Sequence, residues 1–155
     1  MFCYQCEETV KGTGCTIKGV CGKEDAIAAY QDVLIWLCKG ISVRNLAAME
    51  KGKGNPDAGL FVADALFATL TNVDFDKARF TALINTAVAI RDALPVSGST
   101  EPDACTWKPM GDSDILTKAK SVGILSTANE DVRSLRSLLL FGLKGISAYY
   151  THAAV

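Results

Sequence analysis

Apolar residues along most of this chain recur at three- and four-residue steps, the period of a helix with one buried face. Ile27, Tyr30, Leu34, Leu37 and Ile41 form the first such stripe and predict a helix over residues 24–49. The run Lys51-Gly-Lys-Gly-Asn-Pro56 ends it. Asn55 is an N-cap for the next helix and Pro56 fits its first position, where a missing N–H costs nothing. That second helix carries Leu60, Phe61, Phe67 and Leu70 and stops near residue 72. A third, from about residue 74, shows Phe75, Ala78, Phe80, Leu83, Ala87, Ile90 and Leu94 and ends at Pro95. Short connections between three helices predict an up-down-up bundle.

The pattern then breaks. Residues 95–111, PVSGSTEPDACTWKPMG, hold three prolines and two glycines without a period, and read as a linker or an ordered surface crossing. Residues 112–120 suit a short helix, and the brief apolar run 121–126 an extended segment. Thr127-Ala-Asn-Glu130 has the form of a capping box, which starts a long last helix running to about residue 153. The expected division is a cysteine segment at 1–23, a three-helix bundle at 24–95, a linker with short elements at 96–126, and a long helix at 127–155. The fold class is all-α. Residues 32–42, DVLIWLCKGIS, resemble residues 137–147, SLLLFGLKGIS, with Lys-Gly-Ile-Ser identical in both. A true repeat makes the last helix the first of a second, incomplete bundle.

Composition narrows the function classes. Of 155 residues, 49% are hydrophobic, enough for a real core in one domain or slightly more. Net charge is −1 and the basic residues build no stripe, which argues against a nucleic-acid or anionic-membrane partner. The longest apolar run, Val33 to Cys38, is too short to span a bilayer, and the N-terminus lacks the form of a signal peptide. The expectation is a cytoplasmic protein whose thiols stay reduced, so that clustered cysteines point to metal or catalysis before disulfides.

Four of the six cysteines, Cys3, Cys6, Cys15 and Cys21, fall within the first 21 residues, spaced Cys-x2-Cys-x8-Cys-x5-Cys. An x2 pair is a standard bite for two thiolates on one metal centre. The other two reach back from a loop containing Gly12, Gly14, Gly19 and Gly22, which lets the backbone turn tightly and bring N–H groups toward sulfur. Lys11, Lys18 and Lys23 in the same loop partly offset the charge of four thiolates. Structural zinc, disulfides and a thioredoxin-like redox pair are the competing explanations. Zinc usually takes tighter pairs than the x5 gap, and a redox pair wants a strand-to-helix junction. An iron–sulfur site is favoured, and spacing alone does not separate [4Fe–4S] from [2Fe–2S].

The remaining candidates are structural. Cys38, among Ile35, Trp36 and Leu37, reads as a small buried hydrophobe, Cys105 as a free thiol in the loop, and His152 as an exposed helix-end residue. Trp36 and Trp107 read as packing residues. No pair of acidic residues suggests acid–base catalysis, and no glycine-rich phosphate loop is present.

The opening MFCYQCEETVKGTGCTIKGVCGK resembles the N-terminus of the hybrid-cluster proteins, also called prismane proteins or hydroxylamine reductases. So do LFATLTNVDFDKARF at 66–80 and AKSVGILSTANEDVRSLRSLLLFGLKGISAYYTHAAV at 119–155. The resemblance implies a [4Fe–4S] cluster ligated by Cys3, Cys6, Cys15 and Cys21, in a cytoplasmic protein with an N-terminal domain of two three-helix bundles. It also implies two further α/β domains holding a hybrid iron–sulfur–oxygen cluster, where hydroxylamine is reduced to ammonia and nitric oxide reduction has also been assigned. The N-terminal cluster then relays electrons from an electron-donor protein.

The chain is far shorter than that family's members. Cys38, Cys105 and His152 match none of its hybrid-cluster ligands, so the expectation is a fragment without catalysis of its own. The apolar residues Leu135, Leu138, Leu139, Leu143, Ile146 and Tyr149 predict a homo-oligomer formed through the 130–153 helix. The alternative function is a metal-free or zinc-bound helical fragment that only self-associates.

Overall fold

In the computed structural model, which describes residues 1–154, the stripe from Ile27 to Ile41 lies on one helix, α1 (Asp25–Met49). Its buried surface is wider than one face: Val33, Ile35, Cys38, Gly40 and Arg44 are covered as well. α1 is therefore the hub. It packs most extensively on α3 (Lys77–Ala93), and also on α2 (Pro56–Ala68), α4 (Asp103–Thr106) and α5 (Asp112–Val122). α2 and α3 meet only briefly, so the up-down-up group is completed on the far side of α1 by α5 rather than closing as three equal helices. The core joins Tyr30, Leu34, Leu37 and Ile41 to Phe80, Ile84 and Ala87 of α3, Ala65 of α2 and Ile115 of α5. By length and composition α1 is apolar enough to cross a membrane, but 61% of that stretch is buried inside the fold, and packing accounts for its apolarity.

The helix starts follow local chemistry. Asn55 Oδ1 accepts from the Asp57 N–H at 2.9 Å with Pro56 at the first position, as the sequence predicts. Asp76 caps α3 through the Ala78 N–H, so this helix starts at Lys77 instead of near 74. α6 (Glu130–Ala153) is capped by Asn129, whose Oδ1 accepts from the Val132 N–H at 3.0 Å. The capping box expected from Thr127 does not form: Thr127 Oγ1 instead accepts from Arg136 at 3.0 Å. Asparagine is at least as good a cap as threonine, and here it lies two residues closer to the helix. The expected extended segment at 121–126 is also replaced. Ser121 and Val122 finish α5, and Ile124–Ser126 form a 3-10 turn. Gly123 permits this: a Cβ there would overlap the Asp32 carboxylate, so the chain passes hard against α1.

The crossing at 95–111 is ordered and pinned. Arg44 of α1 donates to Glu101 at 2.6 Å and to the Arg91 carbonyl at 3.0 Å. Fully buried Arg91 donates to the carbonyls of Trp107 and Ala104. The Arg44 hydrogen bond holds the Glu101 carboxyl down to about 2. Cys105 is fully buried in α4, not in a loop, and its Sγ lies 3.6 Å from the Gly40 carbonyl. Burial pushes the Cys38 thiol up to about 12. Trp36 and Trp107 pack edge to face, with Lys118 over both rings.

α6 lies along α2, not beside α1, and buries Lys144 and Ser147 there. Its other side is open: Leu135, Leu138, Leu139, Ile146 and Tyr149 are exposed. His152 is exposed as expected and meets the Phe67 ring edge-on.

Candidate metal centre

The first 24 residues form a loop closed on itself. Cys3 and Cys15 pair in an isolated antiparallel bridge, with the Cys15 N–H donating to the Cys3 carbonyl and the Phe2 N–H to the Cys15 carbonyl, each at 2.8 Å. Cys6 precedes a 3-10 turn, Glu7–Lys11, that ends at Gly12 with positive φ. Gly14, also at positive φ, sits so close to Met1 and the Cys3 carbonyl that a Cβ has no room. A Cβ at Gly19 would meet the Lys23 backbone, where the Gly19 N–H donates to the Lys23 carbonyl at 2.8 Å. All six cysteines are free thiols; Cys15 is buried, Cys3 and Cys6 are half-buried and Cys21 is exposed. Among the described residues no three His, Cys, Asp or Glu side chains are gathered closely enough to hold a metal ion. The structure thus joins Cys3 to Cys15 through the backbone and leaves Cys6 and Cys21 on the flanks of the same loop.

Both residues inside the Cys-x2-Cys pair are anchored to distant helices. Tyr4 Oη lies 2.6 Å from Ser137 Oγ of α6. Thr71, after α2, donates to Gln5 Oε1 at 3.2 Å. A small cavity of about 30 Å³ lies under this segment, walled by Phe2, Cys3, Gln31, Asp32 and Ser137 among others.

The floor beneath the loop is polar and buried. Lys23, 1% exposed, donates to Gln31 Oε1 at 3.1 Å, and its Nζ stands 5.3 Å from the Phe75 ring centroid. Lys144, 0% exposed, donates to the Thr69 carbonyl at 2.9 Å. Burial pushes the Lys144 ammonium down to about 8, and Lys23 pushes the same way, while Asp32 and Cys3 favour its charged form. Burial raises the Asp32 carboxyl to about 6 against the pull of Lys144, Lys39 and Lys23. Of the three loop lysines singled out in the sequence, Lys11 and Lys18 are exposed and only Lys23 is buried.

The Prismane/CO dehydrogenase family pattern matches residues 1–155, the whole chain. The chain belongs to that family. It is 50% identical over 161 aligned residues to a hydroxylamine reductase of Desulfitobacterium hafniense, covering 99% of this chain and 29% of the relative. A hydroxylamine reductase of Nitratidesulfovibrio vulgaris is 47% identical, with 100% and 30% covered. One from Clostridium novyi is 45% identical, with 99% and 29% covered. The chain therefore spans under a third of the length of these relatives. Prismane family membership covers the loop and all six helices together, so the cysteine segment and its helical floor are one family unit.

Sequence reasoning missed Lys144, Asp32, and the Tyr4–Ser137 and Gln5–Thr71 ties. The one available signal was a lysine inside the apolar run of α6. The same motif carries Lys39 in α1, and that residue is exposed, so the pattern by itself does not sort them.

Proposed function

We propose that this chain holds an iron–sulfur cluster, of the [4Fe–4S] type, through Cys3, Cys6, Cys15 and Cys21. Within a longer hydroxylamine-reductase-type protein it serves as an electron-transfer module. The observation that carries this reading is the loop itself: four free thiols within 21 residues, Cys3 bridged to Cys15, and the Cys3–Cys6 limb tied to α6 and to the α2–α3 connection. Four soft thiolate donors match the chemistry of iron–sulfur ligation. When bound, such a cluster accepts and releases one electron at a time.

The chain's own residues do the rest. The Gly12, Gly14 and Gly22 positions, all at positive φ, let the loop turn where a side chain would strain it. Tyr4 and Gln5 fix the height of the Cys3–Cys6 limb above the helices. Phe2, Ile35 and Phe141 line the small cavity against the inner side of that limb.

In the longer protein the electrons come from an electron-donor protein in the cytoplasm and serve the reduction of hydroxylamine to ammonia, with nitric oxide as a second substrate. This chain alone is not catalytic. Anaerobic loading with iron and sulfide tests the reading. The expected result is broad visible absorption that bleaches with dithionite, lost on replacing any one of Cys3, Cys6, Cys15 or Cys21 by Ala and retained in Cys105→Ala. A colourless protein with stoichiometric zinc overturns it. The exposed apolar face of α6 supports a second property, self-association of the chain through residues 130–153. A clean monomer in sedimentation equilibrium at micromolar concentration defeats that.

A further inference from the structure

Two ammonium groups are buried under the cysteine loop without an opposing charge in contact. Each uses one donor on a neutral acceptor: Lys23 on Gln31 Oε1 and Lys144 on the Thr69 carbonyl. Neither forms an ion pair among the described residues. Asp32 is the carboxylate that acts on Lys144, and Lys39 and Lys23 act on Asp32 as well, so cations outnumber this acid. Lys144 is bonded to Thr69, two residues before the Thr71 that holds Gln5, and it lies two helical turns after the Ser137 that holds Tyr4, so its ammonium is brought beneath the Cys3–Cys6 limb. A buried cation without a counter-ion is costly, and folds keep one where a further charge completes the site.

The two lysines come from opposite ends of the sequence. Lys23 closes the loop, with its carbonyl accepting from the Gly19 N–H. Lys144 arrives from the middle of α6, and Ser137 of the same helix holds Tyr4, the residue between Cys3 and Cys6. α6 is thus attached to the ligand segment at one point and delivers a charge beneath it at another.

We propose that Lys23 and Lys144 are the built-in counter-charge for an anionic cluster on the cysteine loop, stabilising its reduced state and so raising its reduction potential; this rests on the iron–sulfur reading above. Four thiolates around iron and sulfide leave a net negative charge that grows by one on reduction. A positive charge held close in a poorly solvated floor favours the more negative state. The electron comes from an external one-electron donor, and no bond or proton changes on either lysine. Asp32 works against the lysines. The exposed Lys11 and Lys18 have their charge screened by water and contribute little.

The test is a potentiometric titration of the anaerobically loaded chain with dithionite and mediators, at pH 7, where both Lys144 and Asp32 are mostly charged, in wild type, Lys144→Met, Lys144→Arg, Asp32→Asn and Lys18→Met. Circular dichroism and iron and sulfide content confirm that each variant is folded and loaded. In Lys144→Met the reduced-to-oxidised ratio at a fixed poise should fall about tenfold, equal to ~59 mV for one electron. Lys144→Arg should stay near wild type, Lys18→Met should not move, and Asp32→Asn should shift in the opposite direction. Asp32→Asn keeps the question decidable if Lys144→Met fails to fold. Loaded variants whose potentials all equal wild type, or an Asp32→Asn shift toward lower potential, overturn the counter-charge while leaving the cluster reading intact. A wild-type chain that takes up no cluster overturns both.

Discussion

The tetrapeptide Lys-Gly-Ile-Ser occurs twice, at 39–42 in α1 and at 144–147 in α6, with opposite fates. In α1 the lysine is exposed, while Ile41 is 0% exposed at the centre of the core. In α6 the lysine is fully buried and Ile146 is 68% exposed. Gly40 is pressed against α4, where a Cβ would strike the Ala104 carbonyl, and Gly145 faces open space. The serines differ as well: Ser42 bonds back to the Cys38 carbonyl at 2.8 Å, and Ser147 is buried beside α2. Identical residues on helices of the same period thus occupy rotated faces. A helix has one apolar stripe by sequence, but its neighbours decide which side is covered. α1 is surrounded by α2, α3, α4 and α5, whereas α6 meets chiefly α2.

The sharpest way to break this contrast is to truncate the two isoleucines. Ile41→Ala should lower stability by about 3–4 kcal/mol through lost burial and a cavity. Ile146→Ala should stay within about 0.5 kcal/mol, since a surface change removes no packing. Chemical denaturation of both variants measures the difference. Equal losses would mean that α6 is covered in solution, which sedimentation of Leu139→Lys, Ile146→Lys against wild type would then localise.

The glycines give the next largest effect. Gly40→Ala should cost about 1–3 kcal/mol by forcing α4 away from α1. Gly145→Ala should instead stabilise the chain by about 0.5–1 kcal/mol, because alanine is the better helix former where space is open. Thermal melts of the two variants should move in opposite directions.

The lysines separate in their pH dependence in the metal-free chain. The folded-state ammonium of Lys144 titrates at about 8, against an ordinary 10.5. Between those values the unfolded chain binds more protons, so stability rises with pH through that window, and below about pH 8 the burial cost is present in full. The gain is about 1–3 kcal/mol. Lys144→Met should remove the slope. Asp32 acts at lower pH with the opposite sign: its folded value of about 6 lies above the ordinary 3.8, so the folded state binds more protons between them and stability falls as pH rises through that window. Asp32→Asn should flatten that fall in a urea-midpoint series across pH.

The smallest effect belongs to the exposed copy of the lysine. Lys39→Met should change stability by less than about 0.5 kcal/mol. A larger loss would mean that the pull of Lys39 on Asp32 contributes to the fold despite the exposure of the lysine.

Much of the scaffold was legible without coordinates. The stripe from Ile27 to Ile41, the Asn55–Pro56 start and the last helix each rest on local periodicity or capping, which a short window of sequence contains. The segment at 121–126 was not, because its 3-10 turn depends on Gly123 passing against Asp32, a contact across 91 positions. Cys105 read as a loop thiol for a similar reason. Its burial comes from Gly40 of α1, and nothing near Cys105 in the chain announces that neighbour.

For the candidate centre, the sequence by itself determined the donor set: four thiols at Cys3, Cys6, Cys15 and Cys21, with glycines between them to permit a closed loop. Ligand type and spacing are covalent properties of the chain and survive without a fold. The tertiary structure alone decided what lies under that loop. It brought Lys144 and Ser137 from α6 and Thr71 from the α2–α3 connection to a segment more than sixty positions away, and it buried Lys144 while leaving Lys39 in water. Burial and electrostatic proximity depend on which helices pack together, and packing is settled by the summed apolar surfaces of the whole chain rather than by any one motif.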